Sequence, residues 1–309
     1  MKHTLVGYTG FVGGNLAASH TFDNMYNSSN ITQSFGQQNG LVVYAGMPSE
    51  KFLANADPAA DLAQAKNALE NIRRMQPRQV VLISTVDVYP QPVEVWEDTQ
   101  IQDEDAPAYG KNRHTLEKWV REEFEDALIL RLPGLFGRGL KKNFLYDLLT
   151  ITPSALTQQK YQELLPKHPL IEKAYKEGAG GFYRLQPLTE QDAKDLYGFF
   201  ENNDFNSLAF TDSRAVYQFY NLNYLWEHIQ LCLQQNIRLV NLAVAPLSAA
   251  EIYKAIRNVN FENHLPKPPA QYDMRTRYAE ALGAQGEYLF TAQQVLQDIA
   301  LFAQNWQKN

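Results

Sequence analysis

Tyr109 and Arg113 stand four residues apart in Ala108-Tyr109-Gly110-Lys111-Asn112-Arg113, and on a helix that spacing puts both on one face. A guanidinium beside a phenol favours the phenolate, whose unperturbed pKa is about 10, and so suits a tyrosine to acid/base work. Just upstream, an apolar run ends in Ile83-Ser84-Thr85-Val86-Asp87-Val88-Tyr89. The hydroxyl of Thr85 or Ser84 is then available to hydrogen-bond the substrate oxygen whose proton Tyr109 moves. Near the start of the chain, Gly7-Tyr8-Thr9-Gly10-Phe11-Val12-Gly13 spells G-x-x-G-x-x-G. Its glycines permit a tight turn and let a pyrophosphate approach the N–H groups of a helix N-terminus. Each feature taken singly also has a bland reading, as a turn without a ligand or as a tyrosine that packs.

The elements that would position these residues follow from hydrophobic periodicity. Residues 3–7 form a short apolar run into the glycines, and 11–19 continue with helix-compatible spacing. LVVYAG (41–46), QVVLIS (79–84) and ALILRL (127–132) are continuously apolar, as expected of parallel strands covered on both faces. In 58–75, Leu62, Ala65, Leu69 and Ile72 fall on one helical face, with Asp57 and Pro58 as start signals. Residues 108–124 carry a second stripe of Leu116, Val120 and Phe124. Strands alternating with helices predict an α/β doubly wound parallel sheet. From about 140 to 213 the character changes to long polar and aromatic helical stretches with a break at Gly178–Gly181, and IRLVNLAV (237–244) reads as a later strand.

Composition narrows the classes of function. The 309 residues are 45% hydrophobic and 20% charged, enough apolar material for a sizeable core. Lys plus Arg number 28 against 34 Asp plus Glu, a net charge of −6, so no basic surplus exists to hold a nucleic-acid backbone. Cys232 is the sole cysteine. An intramolecular disulfide is therefore excluded and a reducing compartment fits. The six histidines show no H-x-x-x-H or His/Cys cluster, so no metal site is expected. Met1 to Val6 turns into glycines before a signal peptide's apolar core is built, and no run approaches the roughly 18 residues of a membrane span. The expectation is a cytoplasmic protein.

Together, GYTGFVGGNL, ISTVDVY, YGKNR and LRLPGLFG (130–137) resemble an extended short-chain dehydrogenase/reductase of the nucleotide-sugar epimerase/dehydratase type. The likeness is good over roughly 1–140, fainter at YQFYNLNYLWEHI (217–229) and YDMRTRYAEALG (272–283), and absent over 150–213. It implies a Rossmann-like dinucleotide-binding domain over 1–140 to which the chain returns around 214–245. A smaller, mostly helical substrate lobe would comprise 141–213 and 246–309. It further implies NAD or NADP as cofactor, a nucleotide-sugar substrate, and a homodimer built through the helices at 58–75 and 108–124. Tyr109 would be the acid/base, with Thr85 or Ser84 as hydroxyl partner and Arg113 beside it. Gly7, Thr9, Gly10, Phe11, Val12 and Gly13 would form the cofactor loop. Ala45, Gly46 and Met47 would pass the adenosine, Asn27 and Ser28 would stand at the ribose, and Pro133 beside the nicotinamide.

Three departures from the family pattern bear on the chemistry. The family's Y-x-x-x-K has Arg113 at its fifth position, and Lys111 lies off the tyrosine's face. Arginine can donate to the nicotinamide ribose but does not readily deprotonate. Val86 takes the first place of the acidic pair of dehydratases and Asp87 the second, which favours epimerisation or ketoreduction over dehydration. Finally, no Asp, Glu, Lys or Arg occurs between 24 and 49, so the acid that binds the NAD ribose is replaced by Asn27-Ser28-Ser29-Asn30 and both cofactors stay open. Arg138, Lys141, Lys142, Arg275 and Arg277 are candidates for a diphosphate clamp, with a solvated basic face as the alternative. A dinucleotide-binding sensor or regulatory protein without catalysis is the rival functional reading.

Overall fold

The computed structural model describes residues 1–104 and 106–306, which divide into two compact units. The first comprises Met1–Leu140, Val216–Leu247 and Ala270–Phe302, the second Lys141–Ala215, Ser248–Pro269 and the C-terminal residues. Each is described by itself.

Six parallel strands form the centre of the first unit: β1 (His3–Val6), β2 (Asn24–Tyr26), β3 (Leu41–Tyr44), β4 (Gln79–Thr85), β5 (Leu128–Leu132) and β6 (Leu239–Asn241). Their spatial order is β6-β5-β4-β3-β1-β2. Register is set by Val6 opposite Tyr44 and Tyr44 opposite Leu82, and by Thr85 opposite Leu132. The helices that matter to the site are α1 (Phe11–Ser19), α2 (Lys51–Ala56), α3 (Pro58–Met75) and α4 (Ala108–Glu123). Val42, Tyr44, Val80, Leu82 and Ile129 share a core with Ala65, Leu69 and Ile72 of α3 and Leu116 and Val120 of α4. The intervening Val43, Val81, Leu128 and Leu130 are equally buried; neighbouring strand residues point to opposite faces, so both faces of the sheet are covered. That double burial is why these strands read as unbroken apolar runs.

α3 begins where its signals say. Asp57 accepts from the Ala60 N–H at 3.0 Å and Pro58 occupies the first turn, while the chain leaves the helix through Gln76 in the left-handed region. Only residues 27–40 join β2 to β3, with a single short helical turn at Ile31–Ser34. That span is too short for a further helix and paired strand, so β2 is left at the sheet edge.

Within the sheet lies a charged side chain. Arg131 on β5 is 2% exposed and its guanidinium grips Glu117 of α4 with Nη2–Oε2 2.6 Å and two Nε contacts of 3.1 Å. Arg131 also donates to the Tyr89 hydroxyl at 2.7 Å. Tyr89 donates in turn to the Trp96 carbonyl.

The first unit departs from the expected division at its end. The sequence places 246–309 in the substrate lobe, yet Asp273–Met274 pairs in parallel with Val93–Val95, and Ala270–Phe302 belongs to the sheet unit. Gln218 fixes this return by donating to the carbonyls of Val244 and Met274 and accepting the Met274 N–H.

The second unit contains helices Phe144–Thr150, Gln158–Leu164, Leu170–Ala174, Glu190–Glu201 and Ala249–Arg257, with a three-stranded antiparallel sheet of Ala155–Thr157, Phe182–Leu185 and Tyr175–Glu177. The expected long helices are therefore shorter and interrupted by strands. The glycine break at 178–181 is the turn of a hairpin, with Gly180 and Gly181 at φ 77° and 74°. Side chains that faced a helix period in the sequence are used at period two here. Ser248 and Glu251 close a reciprocal cap at the start of the last of these helices.

Removing one partner of the buried Arg131–Glu117 pair strands the other charge. Glu117→Ala is expected to cost about 3–5 kcal/mol in chemical denaturation, whereas replacing both residues with methionine recovers most of that loss. Equal losses for the single and double variants would contradict the ion-pair account.

A candidate active site at the strand ends

Because the six strands are parallel, the residues that follow β1, β2, β3, β4 and β5 emerge along one edge of the sheet. The order reverses between β1 and β3, which is where open α/β sheets bind ligands. Gly7 follows β1 with φ +90°, and a side chain there would run into the Ala45 carbonyl beyond β3. One at Gly13 would strike the Gly7 carbonyl. The two loops thus meet backbone to backbone, and only glycine lets them. Gly10 caps α1 without a side-chain hydrogen bond. The first-turn N–H groups of Phe11, Val12 and Gly13 have no partner inside the helix, and with Thr9 and Gly10 exposed this end can hold an anion.

Asn27 and Ser28 follow β2. The Asn27 carboxamide oxygen accepts from the N–H and hydroxyl of Ser29, and its own N–H donates to Asn30, so the segment is a closed polar turn. Ala45 continues the ladder, donating to the Val6 carbonyl at 2.9 Å, and Gly46 is exposed beside it. Pro133 ends β5 and is buried. A residue absent from the sequence reading secures this corner. Asn15 of α1 donates to the carbonyls of Phe11 and Arg138 and accepts the Arg138 N–H. Its signal in the sequence is a polar residue on the apolar side of a short helix.

At the end of β4, the two candidate hydroxyls diverge because neighbouring strand residues face opposite ways. Ser84 points inward and donates to Glu117, so the structure does not bring it to Tyr109. Thr85 is on the side of the Tyr109 phenol and helps to offset the rise in its pKa. It also donates to Asp87 Oδ2 at 2.9 Å and accepts the Asp87 N–H. α4 approaches this turn so closely that a Cβ on Gly110 would overlap the Asp87 carbonyl. Tyr109 is 8% exposed, its N–H bound by the Asn55 side chain of α2 at 3.0 Å.

Arg113 does share the Tyr109 face, its guanidinium 4.5 Å from the ring centroid. Its donors, however, are committed elsewhere. Nη1 and Nη2 fork onto Asp61 of α3 at 3.0–3.1 Å, and Nη2 also donates to the Pro48 carbonyl at 2.6 Å. Both ionic partners are buried. The expected donation to a ribose is thus not what this side chain is built for. Arg113 does favour the phenolate, as its spacing suggests, but burial outweighs it: Tyr109 stands above the ordinary tyrosine value, Asp87 adds to the rise, and Arg113, Lys51 and Thr85 offset it in part.

Lys51, at the start of α2, completes the cluster. Its Nζ lies 2.7 Å from Asp87 Oδ1 and 5.9 Å from the Tyr109 ring centroid. Burial draws its ammonium down, but Asp87, Tyr272 and Tyr109 hold it above the usual lysine value. Tyr272, half-buried near the same ion pair, is itself raised.

Two arginines of the expected diphosphate clamp are neutralised by acidic partners. Arg275 is held by Asp273, Glu94 and Glu287 and Arg277 by Asp98, so acidic neighbours consume their charge. Arg138 is exposed in the first unit, while Lys141 and Lys142 fall in the second. Among the described residues no group of three or more His, Cys, Asp or Glu could hold a metal ion, and no helix is long and apolar enough to cross a membrane.

No protein-family model and no curated protein matches the sequence. Solved structures do match along the whole chain. An NAD-dependent NDP-hexosamine 5,6-dehydratase, TunA, is similar at 14% identity with a TM-score of 0.61, covering 100% of this chain and 98% of its own. RMD from Pseudomonas aeruginosa, solved with NADPH, is similar at 15% identity and a TM-score of 0.61, with coverages of 100% and 98%. UDP-glucose 4-epimerase from Thermotoga maritima, solved with UDP-glucose, is similar at 11% identity and a TM-score of 0.58, with coverages of 100% and 99%. The chain has the Rossmann-like fold of the extended short-chain dehydrogenase/reductases of the nucleotide-sugar epimerase/dehydratase type.

Proposed function

We propose that this protein is an NAD(P)-dependent oxidoreductase or epimerase acting at a hydroxyl-bearing or carbonyl carbon of a nucleotide-linked sugar. The observation that carries the reading is the packing of Tyr109 and Gly110 against the Thr85–Asp87 turn at the end of β4, on the same strand-end edge as a glycine loop that only backbone can fill. Support for the ligand classes comes from the fold neighbours described as acting on NDP- or UDP-sugars and as using NAD or binding NADPH.

The bound dinucleotide would supply hydride chemistry, taking hydride from the sugar carbon or returning it. The N–H groups of Phe11, Val12 and Gly13 and the α1 dipole would hold its pyrophosphate. Ala45 and Gly46 would pass the adenosine, Asn27 and Ser28 the adenosine ribose, and Pro133 the nicotinamide. Thr85 would orient the reacting sugar oxygen, and Tyr109 would hold or release the proton at that oxygen as the carbon is oxidised or reduced. A phenol raised by burial is protonated at neutral pH, so it is poised to act as the acid in carbonyl reduction. As a base it needs help from neighbouring positive charge.

The second reading, a dinucleotide-binding sensor of the same fold, is favoured by one observation: Arg113 is locked onto Asp61 and Pro48. It expects dinucleotide binding without turnover.

Three measurements separate these readings. Thermal melting with dinucleotide at 100 times its dissociation constant should show about 2.7 kcal/mol of stabilisation; no shift with NAD or NADP removes both readings. Gly13→Ala should weaken that binding about tenfold or more, near 1.4 kcal/mol, because the added methyl displaces the Gly7 carbonyl. In a screen of UDP-, GDP- and dTDP-sugars, Tyr109→Phe should lose about 10²–10⁴-fold in kcat with dinucleotide affinity kept within a few-fold. Undiminished turnover in that variant sinks the mechanism, and binding with no turnover on any sugar selects the sensor.

A further inference from the structure

Lys51 lies beside the tyrosine and is tied to the turn after β4. Its ammonium, with the side chain 52% exposed, is paired to one oxygen of Asp87 and lies 5.9 Å from the Tyr109 ring centroid. The other Asp87 oxygen accepts the Thr85 hydroxyl at 2.9 Å, and α4 packs on this turn so closely that a Cβ on Gly110 would overlap the Asp87 carbonyl. A half-exposed lysine and its carboxylate are thereby held beside a phenol that is nearly shut off from water. Arg113 is no substitute. It lies against the ring and is anchored by a buried, bidentate carboxylate, whereas Lys51 and Asp87 sit at the turn on which the tyrosine packs.

We propose that Lys51 is a positioning residue for Tyr109, its charge balancing Asp87 beside the phenol so that the tyrosine is available as a base, and holding, through Asp87, the Thr85 hydroxyl at the same strand end. The inference rests on the acid/base reading of Tyr109. The groups facing the phenol are Thr85 at the end of β4, Asp87 in the turn beyond it, Arg113 on its own helix, and Lys51 on α2. Tyr272 faces Lys51 and Asp87 from the returning chain. Removing the lysine leaves the Asp87 carboxylate uncompensated beside the phenol and disfavours the phenolate. Removing the Asp87 charge while keeping the lysine does the reverse. The sign reversal is what a purely structural role for the ion pair cannot produce.

The test reads Tyr109 directly in the ligand-free protein. Ring-¹³C tyrosine NMR follows its titration, with Tyr109→Phe identifying the resonance. Lys51→Gln is expected to move the titration to higher pH, Asp87→Asn to lower pH, and Lys51→Arg to restore it. On a nucleotide sugar turned over in the oxidative direction, Lys51→Gln is expected to lose about tenfold in kcat at neutral pH for each unit of displacement. That loss is recovered as the pH rises, with KM kept within a few-fold. A Tyr109 titration unmoved in both Lys51→Gln and Asp87→Asn overturns the proposal, whatever the turnover. Undiminished turnover in Tyr109→Phe instead removes the acid/base reading on which it rests, and the titration distinguishes the two failures.

Discussion

The first unit is organised around one helix that is tied by buried charge on two sides. Tyr109, Arg113 and Glu117 occupy successive turns along one stripe of α4. Glu117 answers Arg131 in the sheet, and Arg113 answers Asp61 on α3. A buried ion is tolerated only when its partner and its remaining donors are met with good geometry, so each pair permits little displacement of the helix. With two such pairs one turn apart, α4 can neither slide along the sheet nor roll on α3. Tyr109, the next residue on the same stripe, is thereby set at the end of β4, beside the Thr85–Asp87 turn.

This arrangement gives the residues of the stripe different work. The residue four positions after the tyrosine is a structural cation, its guanidinium fork matched to a carboxylate in the way that favours arginine over lysine. A charge spent in this way stabilises the scaffold and is no longer free for a ligand. The other charge beside Tyr109 is carried by an ion pair from α2 and the turn after β4. Burial, the largest influence on the phenol, opposes ionisation, and the groups around it partly compensate. Burial therefore favours the protonated phenol, and the ease with which it ionises depends on the charges around it.

The strand-end edge shows a similar division between backbone and side chains. Gly7, Gly13 and the Ala45 carbonyl meet without room for a Cβ, and Asn15 holds the loop after β5 against α1. The helix end there offers N–H groups and does not depend on the side-chain charge that is missing from residues 24–49. The neutral turn at Asn27–Asn30 that follows β2 is closed by the side chains of Asn27 and Asn30.

Local pattern by itself determined a good deal. The apolar runs marked β1, β3, β4 and β5, the Asp57-Pro58 start and the stripe of Ala65, Leu69 and Ile72 marked α3, and the glycines marked the loop after β1, because periodicity, capping and backbone freedom are properties of a few neighbouring residues. The hairpin around Gly178–Gly181 was hidden, since short strands among polar residues leave little period-two signal and their pairing is made at a distance. Tertiary structure alone decided which hydroxyl stands beside Tyr109, because Ser84 and Thr85 differ only in the face to which the strand turns them and Glu117 claims the inner one. It also decided that Arg113 is bound to Asp61, 52 residues away, and that Lys51 reaches Asp87, 36 residues away. Charges find partners in space, and in a folded chain the nearest opposite charge is set by packing, with no imprint on residue spacing.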